Sequence, residues 1–228
     1  MTPHHHTRCP LFSLVILGLH LLHECRFLKL SATIVVWKEK VRFDLIRPPT
    51  IIHRDLQDTL VTAYAGPYQG LQTFPANEWQ PYIRTMPHAE FPSGSACICE
   101  ASNQALQLIT GLDSFADATG LGGPPALVLE VPEGSSKLEP GSVPSDDLNL
   151  LFSSWSEMSS VCGQSRLNGG MHFTTSVPAG ADLCAPIGGD IYDAFVAIRD
   201  GQVPDYVLDI DDSSPISEVR CGPPSSFK

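Results

Sequence analysis

The chain has 228 residues, 43 % of them hydrophobic, which is enough for one domain with a sizeable core and excludes general disorder. Acidic residues outnumber basic ones 25 to 14, and the formal net charge of -11 argues against a nucleic-acid duplex as partner, because binding a phosphate backbone needs a surplus of Lys and Arg. With 20 prolines and only 17 % charged residues, long irregular connections should join the regular elements.

At the amino terminus, His4, His5 and His6 form too short a tract for a metal site and read as a solvated tail. Residues 10–22 are mostly apolar, follow Arg8, and are too few to span a bilayer comfortably. They resemble the apolar region of a secretory signal, which would route the protein to the secretory pathway. A buried helix and a misplaced gene start are the alternatives. Nowhere does an apolar run reach the roughly 18 residues of a membrane span. The domain organisation that follows is a tail over 1–29, a helical domain over 30–200 and an acidic, Pro/Ser-rich mobile tail over 201–228.

Leu30, Ile34, Trp37, Val41 and Leu45 recur at steps of three or four and mark one stripe of an amphipathic helix. Arg47-Pro48-Pro49 ends it, since the residue before proline avoids helical angles. Residues 50–92 show little periodicity and read as a long packed connection. A second helix is predicted from Ser93 to a C-cap at Gly111, with Ile98, Ala101, Ala105 and Ile109 apolar. Residues 112–144 read as a loop, within which 126–131 and the turn Pro132-Glu133-Gly134 suggest a short β-hairpin. Ser145-Asp146-Asp147 has the form of a helix start, and Leu148, Leu151, Phe152, Trp155 and Met158 give a stripe closed by Gly163. A last helix is expected from about Pro178 to Arg199, bent near Pro186 and Gly188-Gly189. The fold class is mainly α, a helical bundle.

The seven cysteines, Cys9, Cys25, Cys97, Cys99, Cys162, Cys184 and Cys221, are scattered, with no C-x-x-C pair to suggest zinc. Cys97-Ile98-Cys99 reads as two small core residues rather than ligands. There is no N-x-S/T sequon.

Three segments carry chemistry. Lys40 and Arg47 lie seven residues apart, close to two helical turns, so that both cations would share a face and converge on one anion. Glu90-Phe91-Pro92-Ser93-Gly94-Ser95 sits where a helix begins, with exposed N–H groups and the positive end of the dipole to attract an oxyanion. There Ser93 can donate its hydroxyl and Gly94 lets backbone approach a ligand closely. Ser165-Arg166-Leu167-Asn168-Gly169-Gly170-Met171-His172 adds a guanidinium and an imidazole, with two glycines to turn the chain between them. Each segment alone also fits an ordinary solvated face, helix cap or polar loop.

In order, Lys-x6-Arg-Pro, Pro-Ser-Gly and Ser-Arg-x5-His resemble the vanadium-dependent haloperoxidases, of one superfamily with the type 2 phosphatidic acid phosphatases, and the likeness covers roughly residues 30–200. The resemblance implies a helical bundle holding vanadate, or phosphate in the same pocket. Lys40, Arg47 and Arg166 would surround the oxygens, Ser93 and the Gly94 N–H would add hydrogen bonds, and His172 would be the nitrogen ligand to vanadium. The implied activity oxidises halide with hydrogen peroxide. On the phosphatase branch His172 would be the nucleophile toward a phosphomonoester, and a non-catalytic oxyanion-binding remnant is the third reading.

Two departures stand out. The family's Pro-Ser-Gly-His becomes Pro-Ser-Gly-Ser, with Ser95 in place of the acid–base imidazole, and His88, seven residues upstream, is not expected to substitute. The Asp expected four residues after the ligand His is Ser176, which removes an expected partner of the His172 ring. Members of the family also carry a long helical region before the Lys motif. About 30 residues stand there in this sequence, so the bundle is expected to be completed by another chain, or the gene start to be misplaced. An incomplete bundle would expose an apolar face and self-associate.

Overall fold

A computed structural model describes residues 10–115 and 126–202 and, over 10–26, the backbone path alone. The His4–His6 tract, Cys9, Cys221 and the acidic tail from 203 onward lie outside the described residues. Helix α1 runs Pro10–Phe43, so the apolar segment 10–22 and the stripe after it belong to one helix. Asp44 at φ 43° turns the chain out of it, its N–H bonding the Lys40 carbonyl at 2.9 Å. Helix α2 (Pro48–Asp55) then starts with proline in its first turn, where the missing N–H costs nothing.

The connection over 50–92 carries more order than its lack of periodicity suggests. Strands β1 (Leu60–Tyr64) and β2 (Leu71–Pro75) pair antiparallel, Thr62 opposite Thr73, before a short 3-10 turn at Ala76–Glu78. Helix α3 is Gly94–Thr110, as its ends predict: the Ser93 hydroxyl accepts from the Ala96 N–H, and Gly111 closes the helix at φ 74°. The expected hairpin is present, but its second strand lies further along the chain. Strand β3 (Leu127–Val131) pairs antiparallel with β4 (Leu148–Phe152), Leu127 opposite Phe152.

That pairing overturns the helix predicted from Ser145. Asp147 accepts from the Glu133 N–H across the hairpin instead of capping a helix. The effective cap lies nine residues on: the Ser154 hydroxyl accepts from the Glu157 N–H at 3.0 Å, while the Glu157 carboxylate reaches back to the Ser153 N–H and hydroxyl. Helix α4 is therefore Trp155–Asn168. Helix α5 (Ser176–Arg199) continues through Pro186.

The core lies where α1, α3 and α5 meet: Leu28, Ala32 and Val36 against Cys97, Ala101 and Ala105, with Cys184 and Ile187 behind. Small residues let α3 and α5 approach closely; a Cβ on Gly188 would lie 2.4 Å from the Ala101 carbonyl oxygen, and one on Gly180 2.2 Å from that of Ser93. Both C-x-C cysteines are bridged, Cys97 to Cys184 on α5 and Cys99 to Cys162 on α4. The stripe of Leu30, Ile34, Trp37 and Val41 faces outward, because α1 buries its opposite side. Among the described residues no helix is long and apolar enough to cross a membrane.

Candidate functional site: a buried cation and imidazole cradle

Lys40, in the last turn of α1, is only 2 % exposed. Its ammonium donates to the carbonyls of Ala89 (2.9 Å) and Glu90 (3.0 Å). Burial, and then the charge of neighbouring Arg47, lower its pKa to about 8 against the opposing pull of Glu90. Arg47 does not join Lys40 by lying two helical turns on, because α1 stops at Phe43. The turn at Asp44 and the extended Arg47 before Pro48 bring it there, pinned as the Glu90 N–H bonds the Leu45 carbonyl at 2.8 Å.

The Arg47 guanidinium is the hub. Nη1 donates to the Met171 carbonyl (2.9 Å) and lies 3.3 Å from His172 Nε2. A guanidinium only donates, so His172 Nε2 carries the lone pair and Nδ1 carries the proton. That proton goes to Glu90 Oε1 at 2.8 Å. Glu90, 1 % exposed, also accepts from the Phe173 N–H (2.9 Å) and the Ser176 hydroxyl (2.7 Å). Burial pushes the His172 pKa down against the Glu90 hydrogen bond, with Arg47 adding to the fall. Burial would raise Glu90, but the bonds from His172, Ser176 and Phe173 outweigh it and hold the carboxyl below its ordinary value. The result is a neutral imidazole beside a carboxylate, its Nε2 lone pair turned toward the cations.

The expectation that Ser176 deprives His172 of a partner is thus corrected. The carboxylate comes from Glu90, in the stretch leading into the Pro-Ser-Gly motif, and Ser176 braces it. The Ser93 N–H bonds the Ser176 carbonyl at 2.8 Å, joining the second motif to the start of α5, four residues past His172.

Ser93 is fully buried and caps α3, and Gly94 lies against Lys40, where an added Cβ would sit 3.6 Å from the Lys40 Cε. Half-buried Ser95 makes no side-chain hydrogen bond to Lys40, Arg47 or His172. Arg166, in the last turn of α4, bonds the Ser165 hydroxyl through Nε (3.0 Å) and Nη2 (2.9 Å) and puts Nη1 4.0 Å from Met171 Sδ. It borders the cradle through Met171 without hydrogen-bonding Lys40, Arg47 or His172. His88, discounted on sequence, takes the other side of Arg47: its Nδ1 lies 3.2 Å from Nη2 and 3.1 Å from the Ala89 carbonyl oxygen, and its ring centroid lies 4.6 Å from that of Trp37. Burial is the main cause of its lowered pKa, with Lys40, Arg47 and His172 adding to it and the Ala89 carbonyl opposing.

Lys40 and Arg47 lie beside one carboxylate, Glu90, which itself is committed to His172, Phe173 and Ser176, and Arg166 stands next to them across Met171. Among the described residues no group of three or more His, Cys, Asp or Glu side chains is arranged to hold a metal cation. This donor set suits an oxyanion whose central atom accepts one imidazole nitrogen, and vanadate meets that description.

The sequence model of the VCPO second helical-bundle domain matches residues 26–201. The chain belongs to that family. A holo-type bacterial vanadium-dependent chloroperoxidase superposes with a TM-score of 0.70 at 27 % identity, covering 79 % of this chain and 36 % of the other. An apo-type bacterial vanadium-dependent chloroperoxidase gives 0.65 at 30 % identity, covering 72 % and 33 %. A bacterial vanadium-dependent iodoperoxidase shares the fold, with a TM-score of 0.53 at 20 % identity over 77 % of this chain and 33 % of the other. The chain thus spans about a third of the length of the haloperoxidases it matches. No curated protein matches it. The helical-bundle fold and the haloperoxidase likeness read from the motifs are both borne out.

Proposed function

We propose that this chain carries the vanadate site of a vanadium-dependent haloperoxidase. The observation that carries the reading is the His172 ring, fixed by Glu90 so that its Nε2 lone pair faces Arg47. Lys40, Arg47 and Arg166, with the Ser93 hydroxyl and the Gly94 N–H, would hold the vanadate oxygens, and His172 Nε2 would be the nitrogen donor. Vanadate bound there activates hydrogen peroxide for attack by halide without changing its own oxidation state.

The chain's own residues set the conditions. Lys40 and Arg47 supply positive charge in a site shielded from water, where it acts most strongly. Glu90 keeps the His172 proton on Nδ1 and so keeps Nε2 available. Ser95 can donate a hydrogen bond but cannot take up a proton near neutral pH as imidazole does. We therefore expect impaired turnover, with Ser95→His raising the rate of halide oxidation by roughly 10²–10⁴ if acid–base help is what is missing. Purified protein supplied with vanadate, peroxide and chloride, bromide or iodide tests this. No oxidation of any halide by either the native chain or the Ser95→His variant would overturn the reading.

A phosphatase reading uses the same cradle with His172 Nε2 as nucleophile, and vanadate-sensitive hydrolysis of a phosphomonoester in place of halide oxidation would favour it. The outward stripe of α1 also supports self-association of the chain.

A further inference from the structure

The two disulfides differ in ways that matter for the site. Cys97 and Cys184 are fully buried in the core, whereas Cys99 and Cys162 are both partly exposed. Cys99 lies one helical turn beyond Ser95 on α3, and Cys162 one turn before Arg166 on α4. Their Cα atoms are 6.5 Å apart, and the Cys162 sulfur sits 3.8 Å from the Ser95 carbonyl oxygen.

The contacts around the bridges differ as well. Helices α3 and α5 pack with backbone-close contacts at Gly180 and Gly188 beside the Cys97–Cys184 bridge, while on α4 Gly163 packs against the side chains of Val177 and Ala96. At the α3–α4 contact, the hydrogen bonds between side chains are Ser159 to Glu100 (2.7 Å) and Gln107 to Ser156 (3.1 Å), both further from the site than the bridge. The Cys99–Cys162 bridge is therefore the covalent link nearest to Arg166, and it fixes α4 against the start of α3.

We propose that Cys99–Cys162 is a redox-responsive pin that sets Arg166 against the anion cradle, opened by dithiols and closed again by hydrogen peroxide. On opening, a reductant thiolate attacks one cysteine sulfur and expels the other as a thiolate, which takes a proton. The second reductant thiol then displaces the remaining cysteine and leaves the reductant as its own disulfide. On closing, one cysteine thiolate attacks a peroxide oxygen, releasing hydroxide that is protonated to water and forming a sulfenic acid. The second thiol displaces a second water to restore the bridge. The inference rests on the proposed function in that peroxide, the oxidant of that reaction, would hold the site in its ordered form.

The test uses the whole chain under native conditions. Dithiothreitol followed by iodoacetamide and peptide mapping should label Cys99 and Cys162 and leave Cys97–Cys184 joined. Calorimetric titration with orthovanadate should show about tenfold weaker binding after reduction, in line with the 10–100-fold losses seen when support of a ligand shell is removed. Hydrogen peroxide should restore the affinity, and the Cys99→Ser/Cys162→Ser variant should bind weakly and ignore both reagents. Hydrogen exchange of the α4 amides should quicken on reduction. If oxidised protein binds orthovanadate and opening the bridge leaves the affinity within twofold, the pin is refuted. If oxidised protein binds no orthovanadate, the proposed function fails instead. The exchange of α4 then decides for the pin if it quickens and against it if it does not.

Discussion

Glu90 holds the imidazole by a bond between groups 82 residues apart in sequence. Replacing it by Gln keeps the size and an acceptor oxygen but removes the charge that opposes the lowered basicity of His172, and it places an amide N–H₂ where Ser176 now donates. Glu90→Gln should weaken vanadate binding by about 10–100-fold with the fold intact, as calorimetry alongside circular dichroism would show. An unchanged affinity would mean that the carboxylate only fills space. Lys40 gives a pH signature. Its folded pKa, about 8, lies below the ordinary 10.5, so between these values the unfolded chain binds more protons than the folded one. This group's contribution to stability therefore rises with pH across that window. Bound anion reverses the preference by favouring the charged ammonium. Affinity for sulfate, whose charge is constant over this range, should fall as pH rises through about 8, and Lys40→Arg should flatten that fall. A flat profile in the native chain would show that Lys40 does not face the anion.

Among the elements, α3 was legible from its ends, because a Ser cap and a left-handed Gly are local signals with local causes. The stretch after Ser145 reads as a helix in sequence because β4 is too short to outweigh a good-looking cap, and its identity depends on pairing with β3, about twenty residues back. The convergence of Lys40 and Arg47 was expected, but for the wrong reason: a turn at Asp44, not helical periodicity, aims Arg47. Neither disulfide was legible, since scattered cysteines carry no connectivity. The three motifs are legible because their internal spacing is local, while the contacts that assemble them, Glu90 with His172 and Ser93 with Ser176 beyond the third motif, belong to the tertiary fold. The α1 stripe carries its own prediction. Leu30, Ile34, Trp37 and Val41 are all exposed, at the 4-3-4 spacing that seats one helix against another. Sedimentation of the isolated chain should show self-association that Ile34→Glu/Val41→Glu abolishes, with unfolding stability changed by no more than about 0.5 kcal/mol. A monomer at all concentrations would contradict it.

For the whole molecule, the net charge of -11 coexists with two buried cations, Lys40 and Arg47, so the net charge and the buried cations make opposite demands on an approaching anion. On the proposed function, a small oxyanion would enter against the outer field and be held by buried donors, so binding would depend on the cradle residues far more than on surface charge. The most direct measurement is calorimetric titration of the purified chain with orthovanadate, set beside Arg47→Ala and His172→Ala. One site per chain is expected, weakened at least tenfold by either substitution. Absence of saturable binding, or binding that both variants retain in full, would contradict it.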